Sequence, residues 1–150
     1  MADTFAITLE RLAAYRFRAD FGDGIAPLVV DEGPPLGQNA GPNPSRLLAT
    51  ALADCLSASL VFCLARSRIE PRSLRTTATG TLVRNEQKRL RIGRIDVVLV
   101  VELAPDDLAK ARTCLGLFED FCVVTASVRQ GLPVGVRVES PSGELLHASV

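Results

Sequence analysis

The sequence predicts one mixed domain of strands and helices, and three observations support this. Residues 5–21 alternate between apolar and charged side chains, residues 47–64 form a long apolar segment with helical spacing, and residues 73–103 read as two strands joined by a polar turn. A chain of 150 residues suits a single domain, which buries about two thirds of its unfolded surface without disulfides or metal. We therefore expect residues 1–150 to form one domain.

The composition narrows the functional classes. Lys and Arg together number 17, as do Asp and Glu, so no overall field draws the chain to nucleic acid or to an anionic membrane. The N-terminus lacks the basic and apolar regions of a secretion signal, and no charge-free stretch reaches the roughly 18 residues of a membrane span. We expect a cytoplasmic protein, in which four cysteines are free, catalytic or redox-switching thiols.

The segment before the long helix predicts short strands and turns. Residues 5–21 read as one or two strands with a polar face, and "PLVVDEG" reads as a further short strand after the turn "GDG". The stretch "GPPLGQNAGPNP" is too rich in glycine and proline for regular structure, so a helix must begin near its end. Ser45, directly after Pro44, is predicted as the N-cap, although the constraint from Pro44 acts on Asn43.

The predicted helix carries a stripe of residues at spacings of four and three. We expect this stripe to face the core, with Cys55 near its centre. Much of the remaining helix surface is apolar as well, so the helix should be buried nearly all round, which favours cover by a second subunit. The stripe consists of Leu48, Leu52, Cys55, Ser59 and Phe62.

The second half of the chain predicts a hairpin, two helical segments and a closing strand. Alternation in "LRIGRIDVVLVVEL" places one set of apolar residues on a single face of the second hairpin strand. Helical spacing follows in "APDDLAKARTCLGLFEDF", then a short helix in "CVVTASVRQG" and a strand in "LPVGVRVES", and the residues around His147 read as a loose, solvated tail. The apolar face of the second hairpin strand consists of Ile95, Val97, Leu99, Val101 and Leu103.

The spacing of the cysteines argues against a metal site. They lie at positions 55, 63, 114 and 122 without a C-x-x-C pair, and the only histidine is in the predicted tail. The sequence also lacks a G-x-G-x-x-G motif, a Walker loop and an H-E-x-x-H motif. We therefore expect neither a metal nor a cofactor.

The cysteines themselves leave two readings open. Cys55 and Cys63 are eight residues apart on one helix, about 12 Å along its axis, which is too far for a disulfide. Cys122 is predicted to start a helix, where free N–H groups would stabilise a thiolate. The four cysteines are therefore either small core residues or reactive thiols that separate elements bring together.

Three segments together are similar to the OsmC/Ohr family of thiol-dependent organic hydroperoxide reductases. These are "DEGPPLGQNAGPNPSRLLATALADCLSASL", the hairpin after it, and "FCVVTASVRQGLPVGVRV". The similarity runs from Phe5 to about Glu139 in the family's order of elements. It implies an α+β, OsmC-like fold, in which antiparallel sheets wrap around two central helices in an intertwined homodimer.

The resemblance also implies a mechanism. Cys55, in "ALADC", corresponds to the family's peroxidatic thiol, and Cys122, in "FCVV", corresponds to the resolving thiol, although Val123 stands where the family more often has proline. The Cys55 thiolate would attack the O–O bond and become a sulfenic acid, which would condense with Cys122 to a disulfide. A small dithiol or a lipoyl-bearing protein would then reduce that disulfide.

One departure from the family concerns the charges that activate the thiol. Family peroxidases pair an arginine with a glutamate just after "NP", and here Ser45 stands at the glutamate position. The usual arginine–glutamate pair is therefore not visible in the sequence, and other residues would have to stabilise the thiolate. The candidates are Arg16, Arg18 and Arg46 for the positive charge and Glu32 or Asp31 for its acidic partner.

The same departure keeps a second function open. A family member without the activating pair could retain the dimeric scaffold but bind an apolar small molecule, or sense oxidation with little peroxidase turnover. The absent glutamate motivates this alternative.

Overall fold

The computed structural model describes residues 3–150 and confirms a mixed fold, with seven strands and three α-helices in that range. Two 3₁₀ segments, Pro105–Asp107 and Phe118–Phe121, flank the second helix. The strands are Thr8–Ala13 (β1), Arg16–Asp20 (β2), Leu28–Val30 (β3), Ser73–Arg84 (β4), Leu90–Glu102 (β5), Val134–Glu139 (β6) and Leu145–Ser149 (β7). The helices are Pro44–Arg66 (α1), Leu108–Leu117 (α2) and Val123–Val128 (α3).

The structure divides into two compact units. The first ends at Leu47 and contains an antiparallel sheet in the order β1-β2-β3. The predicted strands of residues 5–21 are thus two strands, β1 and β2, with β3 as the third.

The second unit, Leu48–Val150, contains a four-stranded sheet in the order β4-β5-β6-β7. The hairpin predicted for residues 73–103 is β4 and β5, paired antiparallel from Ser73 opposite Glu102 to Arg84 opposite Leu90. β6 lies parallel to β5, because the helical segments between them return the chain to the end where β5 began. The sheet is therefore mixed, with one parallel pair.

The core of the second unit lies between one face of β5 and the leucines of α1. The alternating face predicted for β5 is confirmed, since the four of its residues that lie in the strand are at most 1% exposed, and Leu103, directly after the strand, is 9% exposed. On α1, Leu52, Leu56, Leu60 and Leu64 are fully buried in the same cluster. Spacings of four place these leucines along one side of the helix.

The predicted core stripe of α1 was partly wrong. Cys55 is only partly buried and Phe62 is 50% exposed, whereas the fully buried positions include Leu56 and Leu60, outside that stripe. The helix is also not buried all round in the single chain, since Val61 is 39% exposed. Apolar residues cover most of α1, so periodicity did not identify the face that the sheet covers.

The predicted N-cap of α1 was also wrong. The helix begins at Pro44, and the side-chain Oδ1 of Asn43 accepts a hydrogen bond from the Arg46 N–H at 3.0 Å. Asn43 is therefore the capping residue, and Ser45 lies within the first turn. Proline suits the first helical position because its fixed φ is helical and it lacks an N–H that would need a partner there.

The C-terminal residues form a strand and not a loose tail. β7 pairs antiparallel with β6, with His147 opposite Val138. The His147 side chain is 19% exposed and contacts the carboxylate of Glu119. The sequence around His147 did not reveal this strand because its alternation is short and its pairing partner lies in another element.

Helix α1 is long and apolar enough to cross a membrane when judged by length and composition alone. Its 18-residue window has a mean hydropathy of 2.0, and Asp54 is the only charged residue between Arg46 and Arg66. The core helix of a soluble protein meets the same test, so this property is weak evidence for a membrane span. The leucine side of α1 lies in the core of the second unit.

Candidate functional site

Cys55 opens onto a cleft of about 400 Å³ on the surface of the second unit. The cleft is lined by Cys55, Ala58, Ser59 and Phe62 of α1, and by Phe121 of the 3₁₀ segment before α3. The Phe62 and Phe121 rings meet edge to face, with centroids 5.7 Å apart. The lining is mostly apolar, so the space beside the Cys55 thiol suits an apolar molecule better than a charged one.

Cys55 is partly exposed because of its place on the helix. It directly precedes the buried Leu56 and follows the buried Leu52 by three residues, which puts it at the margin of the buried side of α1. Its thiol therefore packs against the core on one side and faces the cleft on the other.

Cys122 is fully buried and lies in the short link between Phe121 and α3. Its N–H donates to the Glu119 carbonyl at 3.0 Å, and its own carbonyl accepts from the Ala126 N–H at 3.0 Å. Its sulfur lies 3.0 Å from the Thr125 hydroxyl oxygen. These contacts hold the sulfur in one place within the core.

The structure brings the two predicted catalytic cysteines together. Burial raises the pKa of the Cys122 thiol, and the neighbouring Cys55 thiol raises it further. The hydroxyl and the N–H of Thr125 partly offset that rise. All four cysteines are free, so the Cys55 and Cys122 thiols form a reduced pair, with one thiol at the cleft and the other in the core.

Cys63 and Cys114 form a second pair of neighbouring thiols. Each lies eight residues from a member of the first pair, Cys63 after Cys55 on α1 and Cys114 before Cys122. The Cys63 thiol donates to the Cys114 carbonyl at 3.6 Å. Burial raises the pKa of the Cys114 thiol far above its ordinary value, and the Cys63 thiol adds to that shift. This second pair has the character of an unreactive core contact.

We expect the exposed Cys55 thiol to be alkylated faster than the buried thiols of the second pair. In the reduced, folded protein, a maleimide should label Cys55 first, since its thiol reaches the cleft, and should label Cys63 and Cys114 much more slowly, since both are buried. Peptide mass spectrometry over a time course measures the order, and denatured protein, in which all four should react, is the control. Labelling of Cys114 as fast as Cys55 would contradict this account.

The first unit contains two of the candidate arginines. The Arg16 Nε lies 3.8 Å from the Asp31 carboxylate, and its Nη2 donates to the Gln38 side chain at 2.9 Å. That Nε is buried and has no hydrogen-bond partner. Arg18 lies at the surface, 4.0 Å from Asp20.

Asp31, and not Glu32, is the acidic neighbour of Arg16. The Asp31 carboxylate accepts the N–H groups of Gln38, Ala40 and Glu32. These hydrogen bonds, led by those from Gln38 and Ala40, lower the pKa of Asp31 despite its burial. Glu32 forms no ion pair within residues 3–150 and contributes its N–H to this arrangement.

Sequence reasoning missed a polar cluster on the segment that carries Cys122. The Glu119 carboxylate accepts hydrogen bonds from His147 Nε2 at 2.5 Å, from the Ser149 hydroxyl at 2.9 Å and from the Arg129 guanidinium. Burial opposes the charge, but these bonds outweigh it and hold the pKa of Glu119 below its ordinary value. The cluster ties β7 to the turn before Cys122, and its members lie too far apart in sequence to form a motif.

Thr125 was missed as well, although a local signal existed. It lies three residues after Cys122 in a segment predicted to be helical, and this spacing brings side chains together on a helix. Its hydroxyl could therefore have been proposed as a partner of the Cys122 sulfur.

Comparisons with known proteins identify the fold. The family of OsmC-like proteins matches residues 37–137. An OsmC-like protein from Mycoplasma pneumoniae has a TM-score of 0.77 at 18% identity, and one from Vibrio cholerae has 0.76 at 17%; in each case 93% of this chain and 99% of the other are covered.

The organic hydroperoxide resistance protein OhrB of Bacillus subtilis is also similar, with a TM-score of 0.65 and 21% identity over 91% of this chain and 98% of that one. The search of curated proteins finds no match. At these identities the solved structures show the fold, and the family match spans about two thirds of the sequence. The chain therefore belongs to the OsmC-like family.

Proposed function

We propose that the protein reduces organic hydroperoxides, with Cys55 as the attacking thiol and Cys122 as the resolving thiol. The observation that carries the proposal is the partly exposed Cys55 at an apolar cleft, with the buried Cys122 directly beside it. Membership of the OsmC-like family and similarity to organic hydroperoxide resistance proteins support it.

The difference in exposure between the two thiols supports this division of roles. A hydroperoxide in the cleft reaches the Cys55 sulfur, whereas Cys122 is fully buried. The Cys55 thiolate attacks the O–O bond and releases the alcohol, which leaves a sulfenic acid on Cys55. The Cys122 thiol then displaces the hydroxyl as water, and a disulfide forms. A dithiol of the small-molecule or lipoyl type returns two electrons and two protons.

The working form in this proposal is a homodimer of single OsmC-like domains in the cytoplasm. Several apolar side chains near the site are exposed in the single chain, including Val123 at 76% and Phe121 at 47%. A second copy of the chain would cover such side chains.

Turnover should favour bulky organic hydroperoxides over hydrogen peroxide and should rise with pH. The cleft is apolar, and resolution requires the Cys122 thiolate, whose pKa is raised. Cys122 is therefore mostly protonated at neutral pH, and its thiolate fraction grows about tenfold per pH unit until that pKa is reached. The assay measures consumption of cumene hydroperoxide and of hydrogen peroxide with a dithiol between pH 6 and pH 9. A rate already maximal at pH 6 would contradict the proposal.

We also propose that Arg16, Arg18 or Arg46 supplies positive charge for the attacking thiolate. The strongest support concerns Arg16, which has an acidic neighbour, Asp31, like the arginine that the resemblance pairs with a carboxylate. In the same assay, each arginine is replaced in turn by glutamine, and Arg137→Gln serves as the control because Arg137 is paired with Glu139 at the surface. Loss of activity in one variant identifies the arginine, and full activity in all three removes this part of the proposal.

Binding of an apolar ligand is the second candidate, favoured by the aromatic lining of the cleft and by Ser45 at the glutamate position. A wild-type protein that consumes no hydroperoxide but carries an apolar molecule through purification would support it over the peroxidase.

A further inference from the structure

The Thr125 side chain has an unusual place in the core of the second unit. Within residues 3–150 the buried polar or charged side chains are Asp31, Ser59 and Thr125, and Thr125 is 0% exposed. A buried hydroxyl requires a hydrogen-bond partner, since its desolvation is otherwise uncompensated. The partner here is the sulfur of Cys122, 3.0 Å from the Thr125 oxygen.

The accessibility of the two sulfurs determines which one leaves when a Cys55–Cys122 disulfide is reduced. An external thiolate reaches a disulfide sulfur through the solvent, and Cys55 faces the cleft whereas Cys122 is fully buried. Attack therefore occurs at the Cys55 sulfur, and the Cys122 sulfur departs with the electron pair. That step creates a thiolate in the core, where solvent does not stabilise it.

We propose that Thr125 is a further catalytic residue, whose hydroxyl donates a hydrogen bond to the Cys122 thiolate as it leaves. This inference rests on the proposed thiol cycle, because it concerns the reductive half of that cycle. The side chain would act as a donor to developing charge, positioned before the reaction begins.

The step balances as a thiol–disulfide exchange. The donor thiolate forms a bond to the Cys55 sulfur, the Cys55–Cys122 bond breaks, and Cys122 becomes a thiolate that accepts the Thr125 hydroxyl hydrogen bond. Cys122 then takes a proton from solvent or from the second donor thiol. That second thiol attacks the mixed disulfide and releases Cys55, so the dithiol is oxidised by two electrons and the protein is reduced by two.

The effect of Thr125 on Cys122 supports this role. Its hydroxyl and N–H both lower the pKa of the Cys122 thiol, against the raising effects of burial and of Cys55. Among the described residues, Cys55 on α1 is the titratable side chain that shifts this pKa. Valine at position 125 keeps the shape and the N–H but removes the hydroxyl, so it isolates the contribution of that group.

The experiment measures reduction separately from peroxide chemistry. Wild type, Thr125→Val, Thr125→Ala and Thr125→Ser are oxidised to the Cys55–Cys122 disulfide with diamide, and the rate of reduction by dithiothreitol is followed from pH 6 to pH 9. Both variants without the hydroxyl should be reduced about 10- to 100-fold more slowly, as expected for loss of a hydrogen bond to a charged group. The Cys122 titration should move to higher pH in both, and Thr125→Ser should restore the rate and the titration.

The outcomes distinguish a failure of the role proposed for Thr125 from a failure of the peroxidase proposal. Reduction rates for Thr125→Val and Thr125→Ala within about threefold of wild type would overturn the inference. If the diamide-formed disulfide shows the expected slowing while the wild type consumes no hydroperoxide, the role of Thr125 stands and the peroxidase proposal falls.

Discussion

Replacing Cys55 with serine is expected to lower the rate of hydroperoxide consumption by on the order of a thousandfold or more. A serine hydroxyl stays protonated near neutral pH and is a far weaker nucleophile than a thiolate, so the step that breaks the O–O bond is lost. The substitution changes one atom at the margin of the buried side of α1, where Cys55 is only partly buried. Loss of fold is therefore not the expected cause, and a thermal unfolding curve measures it.

Cys63→Ser is the matched control for this experiment. It makes the same chemical change on the same helix, and a serine hydroxyl retains a donor for the Cys114 carbonyl that the Cys63 thiol contacts. Its activity should stay close to wild type. Without a dithiol present, Cys122→Ser should consume about one hydroperoxide per chain and keep a sulfenic acid on Cys55, whereas the wild type should form the disulfide, since the variant has no resolving partner. Undiminished turnover by Cys55→Ser would disprove the assigned chemistry.

Replacing Phe118 with alanine is expected to destabilise the protein by about 3–5 kcal/mol, the usual cost of removing a buried phenylalanine side chain. Phe118 is the largest of the fully buried side chains among the described residues. Its ring meets the His147 ring edge to face, with centroids 5.5 Å apart. The substitution leaves a cavity and also weakens the contact of β7 with the segment before Cys122. Urea unfolding measures the free energy.

Phe121→Ala provides the comparison, because it removes the same ring three residues later. Phe121 is 47% exposed and meets Phe62 at the cleft, so its loss should cost less than about 1.5 kcal/mol. Equal losses at the two positions would mean that the burial of Phe118 is not what stabilises this segment.

Local patterns were sufficient for the elements of secondary structure other than β7. Alternation in residues 95–103 identified both the strand β5 and its buried face, because a strand with one face on a core shows a period of two. Glycine and proline identified the loop before α1, and the short helix after Cys122 was also predicted. The motifs around Cys55 and Cys122 were sufficient for the family, which the match over residues 37–137 confirms.

Local patterns were insufficient to identify the buried side of α1 and its N-cap, because neighbouring residues of similar type could fill each role. Helix α1 is apolar on most of its surface, so the sequence offered more than one stripe, and packing against β5 selected the side with Leu56 and Leu60. Residue type favoured Ser45 as the N-cap, and the geometry of the turn selects Asn43 instead.

The sequence by itself determined six of the seven described strands, the three helices, the family and the two candidate cysteines, because these depend on residue type and on spacings within one segment. The tertiary structure alone decided which thiols are neighbours, which one reaches the cleft, and that Glu119 binds His147 from 28 residues away. The physical reason is that burial and side-chain contact arise when separate elements pack, and residues distant in sequence then set each other's solvation and charge.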